Sequence, residues 1–98
     1  MKEAPNQKVY LNGYIDVPAD RLQAVEEALV EHISLTRAEP GCISFEVLPC
    51  DKVSGRFNVA EVFIDQQAFD FHQQRTKQSD WFRVSEGIPR EYKFRVGD

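Results

Sequence analysis

Cysteine and histidine are scarce in this 98-residue chain, which holds two of each. Cys42 and Cys50 fall in one predicted strand, where a rise of about 3.3 Å per residue separates their Cα atoms by roughly 26 Å. A disulfide needs Cα atoms within about 7 Å of each other, so this strand cannot hold one. The chain also lacks a Cys-x-x-Cys pair, and a structural zinc site has no support. We expect two free thiols.

Excess basic charge and long apolar runs are missing as well. Twelve Lys and Arg residues stand against sixteen Asp and Glu residues, which gives a net charge of -4. Nucleic acids and anionic membranes attract basic surfaces, so we expect neither as a partner. No stretch approaches the roughly 20 apolar residues of a membrane helix, and residues 1–6 lack the apolar segment of a signal peptide. We therefore predict one cytoplasmic domain over 1–98, with its core at about 8–96.

The common motifs of catalysis are absent too. The sequence contains no Gly-rich phosphate loop, no Gly-x-Ser-x-Gly and no His-Glu-x-x-His. Flavin, nicotinamide and metal chemistry thus have no positive support, and we expect no cofactor. Any catalysis must rely on a reactive substrate held in a pocket.

The apolar residues that are present predict six main elements. Alternating side chains indicate strands at 8–17, 42–49, 57–64 and 88–96. A helix with apolar residues at spacings of three and four starts near Asp20, and a second helix follows Asp65 as its N-cap. Ser79 is placed to cap a short additional helix. The order β-α-β-β-α-β predicts a ferredoxin-like α+β sandwich with an antiparallel sheet and both helices on one face.

The other face of this predicted sheet has no helix to cover it. The strands are rich in Phe, Tyr and Val, so we expect that face to be too apolar for water. A second copy of the chain would cover it through a two-fold, self-complementary contact. We predict a homodimer that forms through the open sheet face.

His72 and Glu61 are the first candidates for chemistry. His72 lies on the second helix, close to the strand that carries Glu61, and an imidazole with a pKa near 6.5 can move protons at neutral pH. A core histidine bonded to Glu61 or to a carbonyl is the structural alternative. Glu61 would be desolvated if it pointed under the helices, or would bond across the dimer interface if it pointed away from them. We expect His32, beside Glu31, to be exposed.

Four other residues are candidates for substrate binding. Trp81, the only tryptophan, could form the wall of a cavity for a planar ligand or close the end of the helical layer. Asn12 and Tyr14 belong to a polar and aromatic stripe that suits either a pocket for a hydroxylated aromatic or a wet subunit interface. Arg75 could receive an anionic group of the substrate or lie in solvent.

Short motifs along most of the chain resemble those of a known family. They are Glu-Pro-Gly-Cys at 39–42, Phe-Glu-Val at 45–47, Arg-Phe at 56–57 before Glu61, and Ala-Phe-x-x-His ending at His72. In this order and at these spacings they resemble the antibiotic biosynthesis monooxygenase family. The resemblance implies a dimeric α+β barrel. It also implies oxygenation of phenols and quinols without flavin, metal or haem, in which the substrate anion activates molecular oxygen.

Two departures from the family pattern concern the pocket. Many members have a second histidine shortly after the first, whereas here the segment from His72 leads to Trp81 without one. Haem-degrading members use Asn, Trp and His in that chain order, but here His72 precedes Trp81. The far wall of the pocket should therefore differ from that of most members.

These observations lead to one main hypothesis and two alternatives. The main hypothesis is a monooxygenase of a small phenol or quinol, in which His72 removes the phenolic proton and Glu61 orients His72. The residues expected to form the pocket walls are Trp81, Phe63, Tyr14 and Asn12. One alternative is an isomerase that moves a proton α to a carbonyl with the same histidine. The other is a non-catalytic dimer that binds a ligand, as in a stress response.

Overall fold

The structure, a computed structural model, describes residues 7–97. Its elements follow the predicted order, with a short 3-10 turn at Ala19–Arg21 before the first helix. The strands are β1 (Lys8–Asp16), β2 (Cys42–Pro49), β3 (Arg56–Phe63) and β4 (Arg90–Gly97). The helices are α1 (Leu22–Arg37), α2 (Gln66–Lys77) and α3 (Asp80–Val84).

The four strands form one antiparallel sheet in the order β2-β3-β1-β4. Strand β1 lies at the centre, pairing Val9 with Phe63 of β3 and Tyr14 with Glu91 of β4. A bulge interrupts β2 between Cys42 and Ser44. This topology confirms the ferredoxin-like α+β fold.

The core lies between the sheet and the helices. Val9 and Ile15 of β1 are at most 1% exposed, because alternate side chains of the strand point beneath the helical layer. Val25 and Leu29 of α1 are buried against the sheet, four residues apart on one helix face. Trp81 of α3 joins the same core cluster. The alternation in β1 and the spacing in α1 are thus confirmed.

Two predicted helix caps are also confirmed. The Asp65 carboxylate accepts a hydrogen bond of 2.8 Å from the Ala68 amide at the start of α2. The Ser79 hydroxyl accepts one of 3.4 Å from the Phe82 amide at the start of α3. Each oxygen satisfies an amide that has no partner within its own helix.

The uncovered sheet face is less apolar than predicted. Tyr10 and Tyr14 of β1 lie on it, each with a guanidinium above its ring. The Arg95 guanidinium carbon is 3.9 Å from the centre of the Tyr10 ring, and that of Arg56 is 3.7 Å from the centre of the Tyr14 ring. Cation–π contacts of this kind occur on rings near water. This face of the sheet therefore carries both aromatic rings and positive charges.

The helical layer leaves β4 partly bare. Tyr92, Phe94 and Val96 point to the helix side of the sheet but are 39%, 51% and 45% exposed. Phe69 of α2 meets Phe94 at a ring-centre distance of 5.4 Å. The sheet and the helices therefore diverge toward β4, and a cavity opens there.

Both cysteines are free thiols, as predicted. Within residues 7–97, no helix has the length and apolar character needed to cross a membrane.

Candidate functional site

The cavity between the sheet and helices α2 and α3 has a volume of about 320 Å³. Volumes of this size accommodate small organic ligands. Its polar lining comes from both layers of the fold and consists of His32, Glu61, His72, Gln73, Thr76, Lys77, Arg90 and Tyr92. Its apolar lining consists of Leu11, Phe69, Trp81 and Phe82.

His72 is buried on α2, and one of its ring nitrogens is fixed by a carboxylate. Nδ1 lies 3.1 Å from Oε2 of Glu39, in the connection between α1 and β2. The same Glu39 oxygen accepts a 2.5 Å hydrogen bond from Nε of Arg75, whose NH2 group donates to the Thr36 hydroxyl at 2.9 Å. A carboxylate can only accept, so Nδ1 carries the imidazole hydrogen.

The other ring nitrogen of His72 is thereby left with a lone pair. Nε2 lies 3.5 Å from the Thr76 hydroxyl and 3.9 Å from Oε1 of Glu61, and both of these residues line the cavity. Burial lowers the pKa of His72 below its ordinary value of 6.5, although the Glu39 carboxylate opposes this effect. The imidazole is therefore neutral at neutral pH, and Nε2 can act as a base toward a ligand.

Glu61 of β3 points under the helices, which decides between its two predicted orientations. The residue is 6% exposed, and burial, followed by the charge of Glu39, raises its pKa to about 8. Glu61 was predicted to orient His72, but Glu39 has that position instead. At 3.9 Å from Nε2, Glu61 is too far for a hydrogen bond to the imidazole.

His32 is buried, which corrects the prediction that it is exposed. It is 5% exposed and lies against Trp81 with ring centres 5.2 Å apart and ring planes 13° apart. Burial, and then the nearby His72 and Arg75, lower the pKa of His32 to about 3. His32 therefore forms a neutral, stacked wall of the cavity together with Trp81.

The Glu39-Pro40-Gly41 segment brings the start of β2 directly against α2. A Cβ atom on Gly41 would lie 2.3 Å from Cβ of Ala68, a distance that no real pair of side chains adopts. Gly41 and Ala68 thus allow close contact between the strand and the helix. This contact places Glu39 within reach of His72, one turn farther along α2.

The predicted site residues fall into separate groups. Trp81 lines the cavity with His72 and Glu61. Phe63 is fully buried behind His72, with ring centres 5.0 Å apart, and supports the imidazole from the core. Asn12 and Tyr14 differ from the prediction, because strand alternation places them on the opposite sheet face, where they line a separate depression of about 250 Å³.

Arg75 also has a different position from the one predicted. Its guanidinium is bound to Glu39 and Thr36 and lies outside the cavity lining, so it does not face an anionic substrate. Sequence reasoning missed Glu39 and Tyr92 as site residues. The motif that begins at Glu39 was used only as a sign of the family, and no role in the site was given to its carboxylate. Tyr92 could have been assigned by its alternation with Phe94 on the helix side of β4.

Among residues 7–97, no group of three or more His, Cys, Asp or Glu side chains is arranged to hold a metal ion.

Comparison with known proteins identifies the family. A sequence model of the antibiotic biosynthesis monooxygenase family matches residues 8–84. The chain belongs to this family. The match spans β1 to α3 and includes the Glu39 motif and His72, so the predicted resemblance is confirmed. No curated protein matches the chain.

Solved structures confirm the fold of this family. A Nitrosomonas europaea protein described as a candidate antibiotic biosynthesis monooxygenase has a TM-score of 0.77 and 19% identity, covering 98% of this chain and 95% of that one. MupZ from Pseudomonas fluorescens has a TM-score of 0.74 and 18% identity, and the match covers 96% of this chain and 71% of that one. A Shewanella oneidensis protein has a TM-score of 0.68 and 23% identity, covering 98% of each chain.

Proposed function

We propose that this protein is a monooxygenase that oxidises a small phenol or quinol in the cavity beside His72. The observation that carries this proposal is the lone pair of His72 Nε2. Glu39 holds the hydrogen on Nδ1, and Nε2 faces a cavity large enough for an aromatic ring. A base in this position can remove a phenolic proton.

The reaction needs no group beyond the substrate, the base and molecular oxygen. Removing the phenolic proton gives an electron-rich phenolate, whose ring carbon reduces oxygen and forms a C–O bond. Loss of water from the resulting hydroperoxide yields a quinone. One oxygen atom enters the product, the other leaves as water, and the substrate supplies all four electrons that reduce the oxygen molecule. Trp81 and Phe69 provide apolar walls for the ring.

The isomerase alternative uses the same base, so geometry alone does not separate the two reactions. A base at Nε2 could equally remove a proton α to a carbonyl. Family membership favours the oxygenase, and oxygen consumption is the property that distinguishes them.

The test is oxygen uptake with a panel of quinols, in the presence and absence of added flavin. We expect uptake without flavin, and we expect His72→Ala to lower kcat by at least about 100-fold because the base is lost. Gln74→Ala, an exposed change on the same helix, serves as the control and should keep full activity. Full turnover by His72→Ala on every accepted quinol would exclude this role for His72.

We also propose that two copies pair through the uncovered sheet face. Leu48 of β2 is 59% exposed, and Tyr10, Tyr14 and Val62 lie on the same face of the sheet. The pairing leaves the cavity accessible, because the cavity is on the opposite side of the sheet.

A further inference from the structure

Glu61 has a buried carboxyl oxygen without a partner. The residue lies in the middle of the sheet, opposite Leu11 of β1 and Phe45 of β2. Among residues 7–97, Oε1 has no hydrogen-bond partner and is buried, and the whole residue is only 6% exposed. Leaving such a group unpaired in the interior is unfavourable. Glu61 also lines the cavity, so a ligand that reaches its carboxyl group is the partner that the position favours.

The distance between Glu61 and His72 suits one ligand atom between them. Oε1 and Nε2 are 3.9 Å apart, which is too long for a direct hydrogen bond. An oxygen atom at about 2.8 Å from each of them would complete both hydrogen bonds. The two side chains therefore approach the same point in the cavity from different layers of the fold.

We propose that Glu61 is a second catalytic residue, whose carboxylic acid donates a hydrogen bond to the substrate oxygen that gives its proton to His72 Nε2. This inference rests on the proposed function and extends it to Glu61. The substrate hydroxyl donates to Nε2 and accepts from the Glu61 O–H. When the proton moves to His72, the negative charge that forms on the substrate oxygen is stabilised by that O–H donor. The Glu61 proton stays on Glu61 throughout.

The surroundings of Glu61 favour the acid form that this role requires. Burial and the nearby Glu39 carboxylate raise the pKa of Glu61 to about 8. The other titratable and charged groups around this carboxyl and its cavity come from α1, β2, α2 and β4, and are His32, Cys42, His72, Lys77, Arg90 and Tyr92.

Most of these groups are neutral or otherwise bonded. Burial raises the pKa of Cys42, and burial together with Glu61 raises that of Tyr92 to about 12, so both stay protonated at neutral pH. The Arg90 guanidinium donates to the carbonyls of Ile88 and Ser85. None of these contacts supplies a cation bonded to Glu61.

The mechanism predicts a bell-shaped dependence of kcat/KM on pH, because this ratio reports the ionisation of the free enzyme. The acidic limb reports His72 and lies below 6.5, because that imidazole must be neutral. The alkaline limb reports Glu61 and lies near 8, because its carboxyl must keep its proton. Above that pH the ionised Glu61 repels the phenolate.

Two substitutions separate hydrogen-bond donation from other roles of Glu61. Glu61→Gln provides an N–H donor that does not titrate, so kcat should stay within about tenfold and the alkaline limb should disappear. Glu61→Leu has no donor and should lose about 100-fold in kcat. Glu26→Gln, an exposed change on α1, should leave the profile unchanged. An alkaline limb that survives in Glu61→Gln would overturn the proposal.

Binding of 4-nitrophenol tests the same contact without oxygen. Its absorbance reports ionisation, and we expect the pKa of the bound phenol to be lower in the wild type than in Glu61→Leu by at least one unit. Equal values in both proteins, or no binding to the wild type, would overturn the role of Glu61. If this shift is present but no quinol supports oxygen uptake, the monooxygenase function fails while the role of Glu61 stands.

Discussion

At the scale of single residues, Glu39 determines which nitrogen of His72 can act as a base. A neutral imidazole has one protonated nitrogen and one lone pair, and its surroundings decide which is which. Glu39 accepts from Nδ1 and is held in turn by Arg75. In the proposed reaction, Glu39 is thus a positioning residue that would act on the substrate only through His72.

Glu39→Gln should keep this tautomer but remove the charge that supports it. His72 and Arg75 bind the same Glu39 oxygen, so the new amide oxygen would take its place and accept from both. We expect kcat to fall by about tenfold or more, because the imidazolium that forms when Nε2 takes the phenolic proton loses its carboxylate partner. The pKa of His72 should also fall, because Glu39 raises it in the wild type, and a ¹⁵N titration of the ring nitrogens measures that change independently of turnover.

Glu46→Gln is a matched control for this substitution. Glu46 lies on β2 and forms an exposed ion pair of 3.3 Å with Arg37, away from the cavity. The same chemical change there should alter neither kcat nor the His72 titration. A Glu39→Gln protein with an unchanged His72 titration and lowered kcat would show that Glu39 acts in some other way.

The sequence pointed to His72 and Glu61 as site residues. It did not indicate the contact between His72 and Glu39, which determines the position of the imidazole hydrogen. Both candidates were visible because a titratable side chain interrupted an apolar pattern. Glu39 and His72 are 33 residues apart, and only the packing of Gly41 on Ala68 brings them together. No local pattern encodes a contact of that kind.

At the scale of the elements, the stability of helix α2 depends on the residues at its start. Asp65 caps the helix through the Ala68 amide, and His72 follows within two turns. The cap was predictable because Asp directly before an apolar helical pattern satisfies a free amide. The position of α2 over β3 then fixes where His72 meets the cavity.

Asp65→Ala should destabilise the protein by about 1 kcal/mol, because the Ala68 amide loses its acceptor. Chemical denaturation measures this loss directly. Asp70→Ala makes the same substitution on the exposed side of α2 and should change the free energy of unfolding by less than about 0.5 kcal/mol. Equal losses in the two variants would mean that the cap contributes nothing beyond general helix content.

Helix α1 shows that the periodicity of a helix does not by itself predict which of its side chains are buried. Charged neighbours suggested that His32 is exposed, but it is buried because α3 packs over it and places Trp81 on its ring. Helix α3 has only five residues, and its packing direction does not follow from its own sequence. The wall of the cavity was therefore the least predictable part of the site.

At the scale of the whole molecule, the two faces of the sheet have different surroundings. One is buried beneath the helices and contributes Glu61 to the cavity, while the other carries Tyr10, Tyr14 and Val62 and is not covered by any of residues 7–97. The distribution of side chains between the two faces was predictable from the alternation of residues in β1. The mixed character of the second face was not, because the cation–π pairs join distant residues.

A charge in the middle of the open face should prevent the proposed dimer. We expect the wild type to sediment as a dimer and Val62→Glu as a monomer, since a carboxylate would be desolvated at the contact. Val30→Glu is the matched control, because Val30 is 72% exposed on α1. A wild-type protein that sediments as a monomer at high concentration would contradict this assembly.

The shared oxygen of Glu39 links the chemistry of the site to local motion. His72 and Arg75, both on α2, bind the same Oε2 atom in the connection that precedes β2. A fluctuation that lifts α2 from this connection releases both contacts at once, and the imidazole hydrogen can then exchange between the two nitrogens through water. In the proposed reaction, the fraction of time that α2 remains docked would therefore set an upper limit on turnover, independent of how stable the sheet itself is.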